Sequence, residues 1–235
     1  MLAALVLGSW FLTSTRVYQV VPGEVLRSRQ LEKDELRDVI ETHSLRTVIN
    51  LRGSPPGEKW LDDHRAVCSE YGVRHRTTSF SVDEWPARHE DRRLVKYFDT
   101  SEPPILIHCY RGADRSGWAA AVKLLLGGTE LDKALVQITP RFGHVCDRDT
   151  CPLHLFFDSY QRHLDRLSLA GGSDEFRVWV HEYYCPDPYN AQLSLLSEIP
   201  ARVSPGERIR TTVRVVNNGT FSWRMTDLET KLDLV

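Results

Sequence analysis

The stretch that decides the fold is PILIHCYRGADRSGWAAAVKLLL, residues 104–126. Its first part is a short apolar run, which predicts a strand in a sheet that is covered on both faces. Its last part is rich in alanine and leucine and predicts a helix. Between them stands a loop with a glycine. Backbone N–H groups of such a loop and the start of the following helix form a binding site for an anion.

The sequence on both sides of this stretch alternates between strand-like and helix-like segments. The patterns predict strands at 17–21, 46–51, 73–80 and 104–109, helices at 31–43, 58–72 and 92–99, a loop at 81–91, and three helical segments at 130–138, 152–167 and 173–184. Strand and helix in alternation predict an α/β fold with a mostly parallel central sheet flanked by helices.

The chain divides by composition into three parts. Residues 1–16 form an apolar N-terminal segment, residues 17–185 the α/β domain, and residues 186–235 a β-rich segment with turns at SPGE and NNGT. The last part resembles the start of an immunoglobulin-like sandwich. That fold needs about 100 residues and seven strands, so we expect an incomplete domain.

The N-terminal run MLAALVLGSWFL is too short to span a bilayer, and it lacks the basic residues that begin a signal peptide. It is either the remnant of a membrane anchor or signal-peptide core, or a first apolar segment that packs on the domain, and we favour the anchor remnant because no polar face interrupts the run. This predicts membrane association through the N-terminus, and favours a membrane-associated or extracytoplasmic location over a cytoplasmic one. The net charge of −2 argues against a nucleic-acid partner.

The loop between strand and helix carries a cysteine, Cys109, and six residues later an arginine, Arg115. A cysteine at the entrance of an anion site is stabilised as the thiolate, which is a nucleophile. A guanidinium matches two phosphate oxygens. We therefore expect residues 110–115 (Tyr110, Arg111, Gly112, Ala113, Asp114 and Arg115) to bind phosphate, with His108 and Ser116 in supporting roles.

The segment HCYRGADRSG, residues 108–117, resembles the H-C-x5-R-S/T motif of cysteine-dependent tyrosine and dual-specificity phosphatases. Residues 20–31, 46–53 and 141–144 also resemble segments of bacterial dual-specificity-type phosphatases. The resemblance implies hydrolysis of phosphate monoesters through a phosphocysteine intermediate, with no metal and no cofactor. It implies a phosphorylated protein (phosphotyrosine, phosphoserine or phosphothreonine) or a phosphoinositide as the substrate.

The leaving group of such a reaction needs a proton from an acid. In most of the family an aspartate on a separate loop supplies it, and here the loop 81–91 offers Asp83, Glu84 and Asp91. Some relatives instead carry an aspartate directly before the loop arginine, which corresponds to Asp114. We rank Asp114 slightly above Asp83, because a carboxyl group beside a bound phosphate should have a raised pKa.

Four further residues, His144, Cys146, Cys151 and His154, could form a zinc site by residue type. Their spacing matches no common zinc-finger pattern. A disulfide between the two cysteines, or histidines that cap a helix, is the favoured interpretation, and no metal site is predicted. Arg52 follows a predicted strand and is expected either at the rim of the substrate site or in a salt bridge.

Other functions are compatible with the same loop. Rhodanese-like or arsenate-reducing chemistry uses a similar loop, but Ser116 and the flanking segments disfavour it. A phosphoinositide phosphatase is an alternative, for which Arg111 is the one basic loop residue before Arg115. A third alternative is a catalytically weak module that binds phosphate or mediates interactions in the cell envelope.

Overall fold

The computed structural model describes residues 16–147, 151–186, 191–197 and 211–217. The predicted anchor remnant therefore lies almost wholly outside the described residues. The chain divides into two compact units, Met1–Tyr184 and Cys185–Val235. None of the helices in the described ranges is long and apolar enough to cross a membrane.

The first unit contains five strands and seven α-helices within its described residues. The strands are β1 (Tyr18–Val21), β2 (Val25–Ser28), β3 (Thr47–Asn50), β4 (Arg74–Thr77) and β5 (Ile105–His108). The helices are α1 (Lys33–His43), α2 (Lys59–Glu70), α3 (Arg88–Thr100), α4 (Asp114–Leu126), α5 (Leu131–Leu135), α6 (Pro152–Leu167) and α7 (Ser173–Val178). Short 3-10 turns at Val136–Ile138 and Pro140–Phe142 follow α5, and a π-helical turn at Trp179–Tyr183 follows α7.

The five strands form one sheet in the order β1-β2-β5-β3-β4. Strands β2, β5, β3 and β4 are parallel, and β1 pairs antiparallel with β2 at the edge. The predicted fold class is confirmed: the sheet is mostly parallel and helices cover both of its faces. Because β5 is the central strand, the loop that follows it leaves the sheet where neighbouring strands lie on both sides.

Alternate residues of the central strands enter two separate hydrophobic cores. In β5, Ile105 and Ile107 join the core that contains α3, α4 and α6, whereas Leu106 joins the core formed with α1 and α2. This follows from the period of two in a strand, in which successive side chains point to opposite faces. Because this alternation continues past Ile107, the neighbouring side chains of His108 and Cys109 lie in different environments: Cys109 joins the core with α4, and His108 packs against His64 of α2.

Two elements differ from the sequence prediction. Strand β2 was not predicted, because a charged residue, Arg27, interrupts its short run of four residues. In the structure this side chain is fully buried. Helix α3 begins at Arg88, four residues earlier than predicted. Its first turn holds Glu90, whose carboxylate accepts hydrogen bonds from the hydroxyl of Thr78 and the N–H of Ser79. Carboxylates are favourable near a helix N-terminus, so the segment with Glu90 and Asp91 forms the first turn of the helix.

In the second unit, strands β6 (Ala191–Leu195) and β7 (Val213–Asn217) pair antiparallel with each other. The predicted turns at SPGE and NNGT lie largely outside the described residues. The immunoglobulin-like character of this segment stays a prediction.

Candidate active site

The loop from Cys109 to Ala113 connects β5 to α4 and encloses the sulfur of Cys109. The N–H of Gly112 donates a hydrogen bond to Sγ at 3.3 Å. The hydroxyl of Ser116, in the first turn of α4, lies 3.5 Å from the same sulfur. Cys109 is only 2% exposed. The sulfur therefore lies among a backbone N–H, a hydroxyl group and the N-terminus of α4.

Gly112 is the residue that allows the loop to close. Its φ is +70°, in the left-handed region, and a Cβ there would lie 2.5 Å from the backbone nitrogen of Arg29. It would also lie 2.8 Å from the carbonyl carbon of Ser28. Both contacts are with backbone, which cannot move aside as a side chain can. Any side chain at this position would push the loop away from the segment after β2.

Arg27 of β2 holds the C-terminal end of the loop through the carbonyl groups of Gly112 and Ala113. Its guanidinium donates to the carbonyls of Gly112 at 3.0 Å and Ala113 at 2.8 Å, and to the backbone and side-chain oxygens of Gln137 at 2.7 and 3.0 Å. It also lies 4.8 Å from the ring centroid of Phe142. Burial lowers the pKa of Arg27 to about 10, so the group keeps its charge at neutral pH.

The sequence prediction missed Arg27, although one signal was available. Residues 25–28 read VLRS, a run in which an arginine interrupts apolar residues within a segment that resembles the phosphatases. A charged residue in a buried strand needs partners, and carbonyls of a phosphate loop are suitable ones. Its alternation with Leu26 places Arg27 on the same face of the sheet as Val25, where α4 packs.

Arg115 lies beside the loop that was predicted to carry the acid. Its guanidinium donates to the carbonyl of Phe80 at 3.2 Å. Residues 81–87 begin there, and Asp83 in this loop is exposed, with its N–H bonded to the hydroxyl of Ser81 at 3.1 Å. The structure therefore brings the start of this loop to the arginine of the phosphate loop.

Asp114, the first residue of α4, is engaged by a histidine that the motif did not include. Its Oδ1 lies 2.7 Å from Nδ1 of His144. Burial raises the pKa of Asp114, but the hydrogen bond and the charge of His144, with the charge of Arg111, outweigh it and hold the pKa below its ordinary value. The raised pKa expected from the sequence concerns the site with phosphate bound and stays a prediction, whereas in this structure His144 stabilises the carboxylate.

The other two acidic residues of the predicted loop 81–91 differ in their exposure to solvent. Glu84 is exposed, and Asp91 is 2% exposed within α3. Burial, and then the charge of Glu90, raises the pKa of Asp91 well above its ordinary value. Neither oxygen of Asp91 has a hydrogen-bond partner, so this residue is enclosed by the protein rather than presented by a loop.

His144 also lies close to the other residues that could form a zinc site by residue type. Its Nε2 lies 3.1 Å from Nε2 of His154 and 4.0 Å from Sγ of Cys151. The donor atoms of His144, Cys146 and Cys151 all lie within 4.8 Å of one another. No disulfide joins Cys146 to Cys151 in this structure. The favoured disulfide is therefore not observed, although the two cysteines do lie close together.

The mouth of the site is lined by an aromatic pair and an arginine. The guanidinium of Arg52 lies 4.3 Å from the ring centroid of Trp60 and 4.9 Å from that of Tyr110, and it donates to the side chain of Gln30. Burial, and then the charge of Arg115, lowers the pKa of Arg52. Arg52 thus lies near enough to Arg115 for the two cations to repel.

His108 lies behind the loop in a cluster of three histidines. Its ring centroid is 4.9 Å from that of His64, and the donor atoms of His64, His75 and His108 lie within 4.8 Å of one another. Burial lowers the pKa of all three, to about 4 for His75. A neutral His108 supports the loop by packing, since its ring meets other rings rather than a charged partner.

The chain matches the sequence model of the tyrosine phosphatase family over residues 8–135, which is more than half of its length. A search of curated proteins found no significant match.

Solved structures with a similar chain path include three cysteine-loop proteins. The core catalytic domain of the PP-IP phosphatase SIW14 from S. cerevisiae is 19% identical, with 65% of this chain and 93% of that chain covered and a TM-score of 0.49. Tk-PTP in its active form is 20% identical, with 57% and 90% covered and a TM-score of 0.44. PTPMT1 is 16% identical, with 65% and 98% covered and a TM-score of 0.49. The match of the family model over more than half of the chain shows that this protein belongs to the tyrosine phosphatase family.

Proposed function

We propose that the protein hydrolyses phosphate monoesters of the protein-tyrosine or dual-specificity class through a phosphocysteine intermediate. The observation that carries this proposal is the environment of the Cys109 sulfur. It receives the N–H of Gly112 and faces the hydroxyl of Ser116, on a loop that Arg27 holds by two carbonyls. These contacts prepare a nucleophile and an anion site in one place.

The reaction proceeds in two displacements. The thiolate of Cys109 attacks phosphorus, a P–S bond forms, and the P–O bond to the leaving group breaks with its electron pair on that oxygen. An acid protonates this oxygen, so the alcohol or phenol leaves neutral. Water then attacks phosphorus, its proton passes to the carboxylate that the acid left, and the sulfur departs as a thiolate to which the hydroxyl of Ser116 donates a hydrogen bond. Arg115 and the loop N–H groups stabilise the charge of both transition states.

Two carboxyl groups remain candidates for the acid. Asp83 belongs to the loop that begins at the carbonyl bound by Arg115, and its exposed side chain is available to a substrate. Asp114 directly precedes Arg115 at the start of α4, but one of its oxygens already accepts a hydrogen bond from His144. The geometry favours Asp83 as the donor and gives Asp114 a positioning role through His144.

The arginines around the sulfur support a second candidate substrate, the phosphoinositides. Arg52 stands at the mouth, and Arg111 is exposed on the loop itself, where its carbonyl accepts a hydrogen bond from Arg16 at 2.7 Å. A substrate with several phosphate groups would meet these side chains at the same time. A phosphotyrosine residue would instead use the exposed ring of Tyr110 as a stacking surface.

The test is hydrolysis of p-nitrophenyl phosphate by the freshly reduced chain, compared with Cys109→Ser. We expect vanadate-sensitive activity in the wild-type protein and none in the variant. Rapid acid quenching after a radiolabelled substrate should leave phosphate on Cys109. Intact phosphate binding without turnover in the wild-type protein would contradict the proposal and favour the phosphate-binding module.

A further inference from the structure

Four side chains next to the phosphate loop present the donor atoms of a metal site. His144 follows the 3-10 turn at Pro140–Phe142, and Cys146 comes two residues later. Cys151 directly precedes α6 and His154 lies in its first turn, three residues on, so the two share one face of the helix. Two segments therefore contribute one histidine and one cysteine each.

The hydrogen bonds of His144 fix which of its nitrogens faces the other donors. A carboxylate can only accept, so Nδ1 of His144 carries the proton that binds Oδ1 of Asp114. In the neutral ring Nε2 presents a lone pair, and this is the nitrogen that faces Cys151 and His154. A histidine that ligates a metal donates its other nitrogen to a carboxylate in the same manner, which sets the tautomer and orients the ring.

Two of the distances between donors are close to those around a tetrahedral ion, and the donor atoms of His144, Cys146 and Cys151 all lie within 4.8 Å of one another. Zinc bonds of about 2.0–2.1 Å to nitrogen and about 2.3 Å to sulfur place nitrogens about 3.3 Å apart and nitrogen and sulfur about 3.6 Å apart. The corresponding distances here are 3.1 Å from His144 to His154 and 4.0 Å from His144 to Cys151. The side chain of His144 is 2% exposed and Cys151 is buried.

We propose that His144, Cys146, Cys151 and His154 bind one zinc ion, and that Asp114 orients the site from the phosphate loop. Two thiolates and two imidazoles in a tetrahedral arrangement are the donor set that selects zinc. Four protein ligands close the coordination shell, so the ion has a structural role. It ties the segment after α5 to the start of α6.

The link to the active site runs through one hydrogen bond. Asp114 is adjacent to Arg115 and begins α4, so an ion that fixes His144 also fixes the carboxylate at the start of this helix. The zinc does not contact the substrate. It acts by positioning, and its effect on catalysis should be smaller than that of the loop residues themselves.

The first experiment measures the metal content of the full chain purified under reducing conditions, by mass spectrometry of the elements. We expect about one zinc per chain, since four fixed ligands hold structural zinc tightly. The chain stripped of metal should take up Co²⁺ and show the strong visible bands of tetrahedral cobalt with a sulfur-to-metal charge-transfer band. Zinc should displace this cobalt stoichiometrically.

Variants then identify the ligands. Cys146→Ser changes an exposed residue and is expected to fold, yet it should weaken zinc binding by more than about 100-fold, beyond the roughly 10–100-fold of an outer partner. His154→Ala should do the same. Asp114→Asn should weaken binding by about 10–100-fold, because it removes only the outer contact. Cys185→Ser and His89→Ala, outside the cluster, should bind zinc as the wild type does.

Absence of zinc in the purified chain, with no uptake of Zn²⁺ or Co²⁺ after reduction, would overturn the proposal. Equal metal binding by wild type, Cys146→Ser and His154→Ala would overturn it as well. If the purified chain contains a Cys146–Cys151 disulfide, reduction followed by zinc uptake supports the site, and reduction without uptake refutes it. Circular dichroism of each variant separates loss of a ligand from loss of the fold.

Discussion

Arg27 and Ala113 are 86 residues apart in sequence, and the guanidinium of the first donates to the carbonyl of the second at 2.8 Å. This contact connects β2 to the last residue before α4. Carbonyls of a phosphate-binding loop must point away from the anion, so that the N–H groups can point toward it. Arg27 satisfies the outward carbonyls and thereby fixes the direction of the N–H groups.

Replacing Arg27 by methionine should destabilise both the protein and the site. The carbonyls of Gly112, Ala113 and Gln137 would lose their partner, and each buried polar group without one costs about 1–3 kcal/mol. We expect the free energy of unfolding to fall by about 3 kcal/mol or more, and vanadate to bind weakly. Chemical denaturation and vanadate titration measure the two effects. Arg141→Met, which removes the exposed cation near the Phe142 ring, should change neither.

Gly112→Ala should abolish activity, whereas Gly23→Ala should not. Both glycines have positive φ, +70° and +72°, so both substitutions incur the strain of about 1–2 kcal/mol of a left-handed residue. A Cβ at Gly23 meets no atom within 4 Å, but at Gly112 it meets the backbone of Arg29 at 2.5 Å. The comparison of kcat and thermal stability for the two variants isolates the effect of the contact. Equal losses of kcat and thermal stability in the two variants would show that the loop can move to accommodate a Cβ at position 112.

The general acid can be assigned by measuring how the kcat of each variant depends on the leaving group of the substrate. If Asp83 is the donor, Asp83→Asn should lower kcat by about 100-fold or more for phenyl phosphate, and much less for p-nitrophenyl phosphate, whose leaving group needs little help. Asp114→Asn should lower both rates by a similar factor, since it acts on loop geometry. The reverse pattern in the two variants would assign the acid to Asp114. Glu84→Gln, in the same loop, is the matched control.

Arg52 should discriminate between substrates with one phosphate group and those with several. Arg52→Gln should raise KM for a soluble phosphoinositide by about 10-fold, and KM for p-nitrophenyl phosphate by less, because only the larger substrate reaches the mouth. A kinetic comparison at constant ionic strength measures this. Equal changes for both substrates would place Arg52 in contact with the reacting phosphate and remove the support for phosphoinositides.

Stability should fall in mild acid because of the buried histidines. Burial, and then the neighbouring His64 and Arg65, lowers the pKa of His75 from 6.5 to about 4. The unfolded chain therefore binds more protons than the folded one between these values, and stability is lost as pH decreases through this range. For His75 the loss is on the order of 3 kcal/mol at pH 4. His64 and His108 act in the same direction.

Urea denaturation at pH 7 and pH 5 measures this loss. Asp91 acts in the opposite direction, because its raised pKa gives the folded protein the higher proton affinity. The informative quantity is therefore the difference between wild type and His75→Gln, whose stability should depend less on pH. A variant with the same pH dependence as wild type would show that the pKa of His75 is the same in the folded and the unfolded protein.

The central part of the site was predictable from sequence because it is local. Residues 104–126 contain the strand, the loop and the helix, so the positions of Cys109 and Arg115 follow from the order of the residues alone. The parallel sheet also follows, since strands and helices alternate along the chain. The family resemblance pointed to the same segment, and the family match includes it.

The remaining features depend on contacts between distant segments, and these leave only weak traces in sequence. Arg27 meets the loop because β2 pairs with β5, a pairing that no local pattern specifies. His144 reaches Asp114 across 30 residues, and this contact, which the motif does not include, lowers the pKa of Asp114. The early start of α3 likewise depends on the contact of Glu90 with Thr78.

The alternation of side chains along β2 has a consequence for which changes in chain length this protein can accept. Leu26 and Arg27 enter opposite faces of the sheet. A deletion of one residue in the tight turn between β1 and β2 would shift the strand by one position and bring a guanidinium into the aliphatic layer under α1. By contrast, residues 54–58 before α2 are all exposed. Natural insertions and engineered tags should therefore be tolerated in the second segment and excluded from the first.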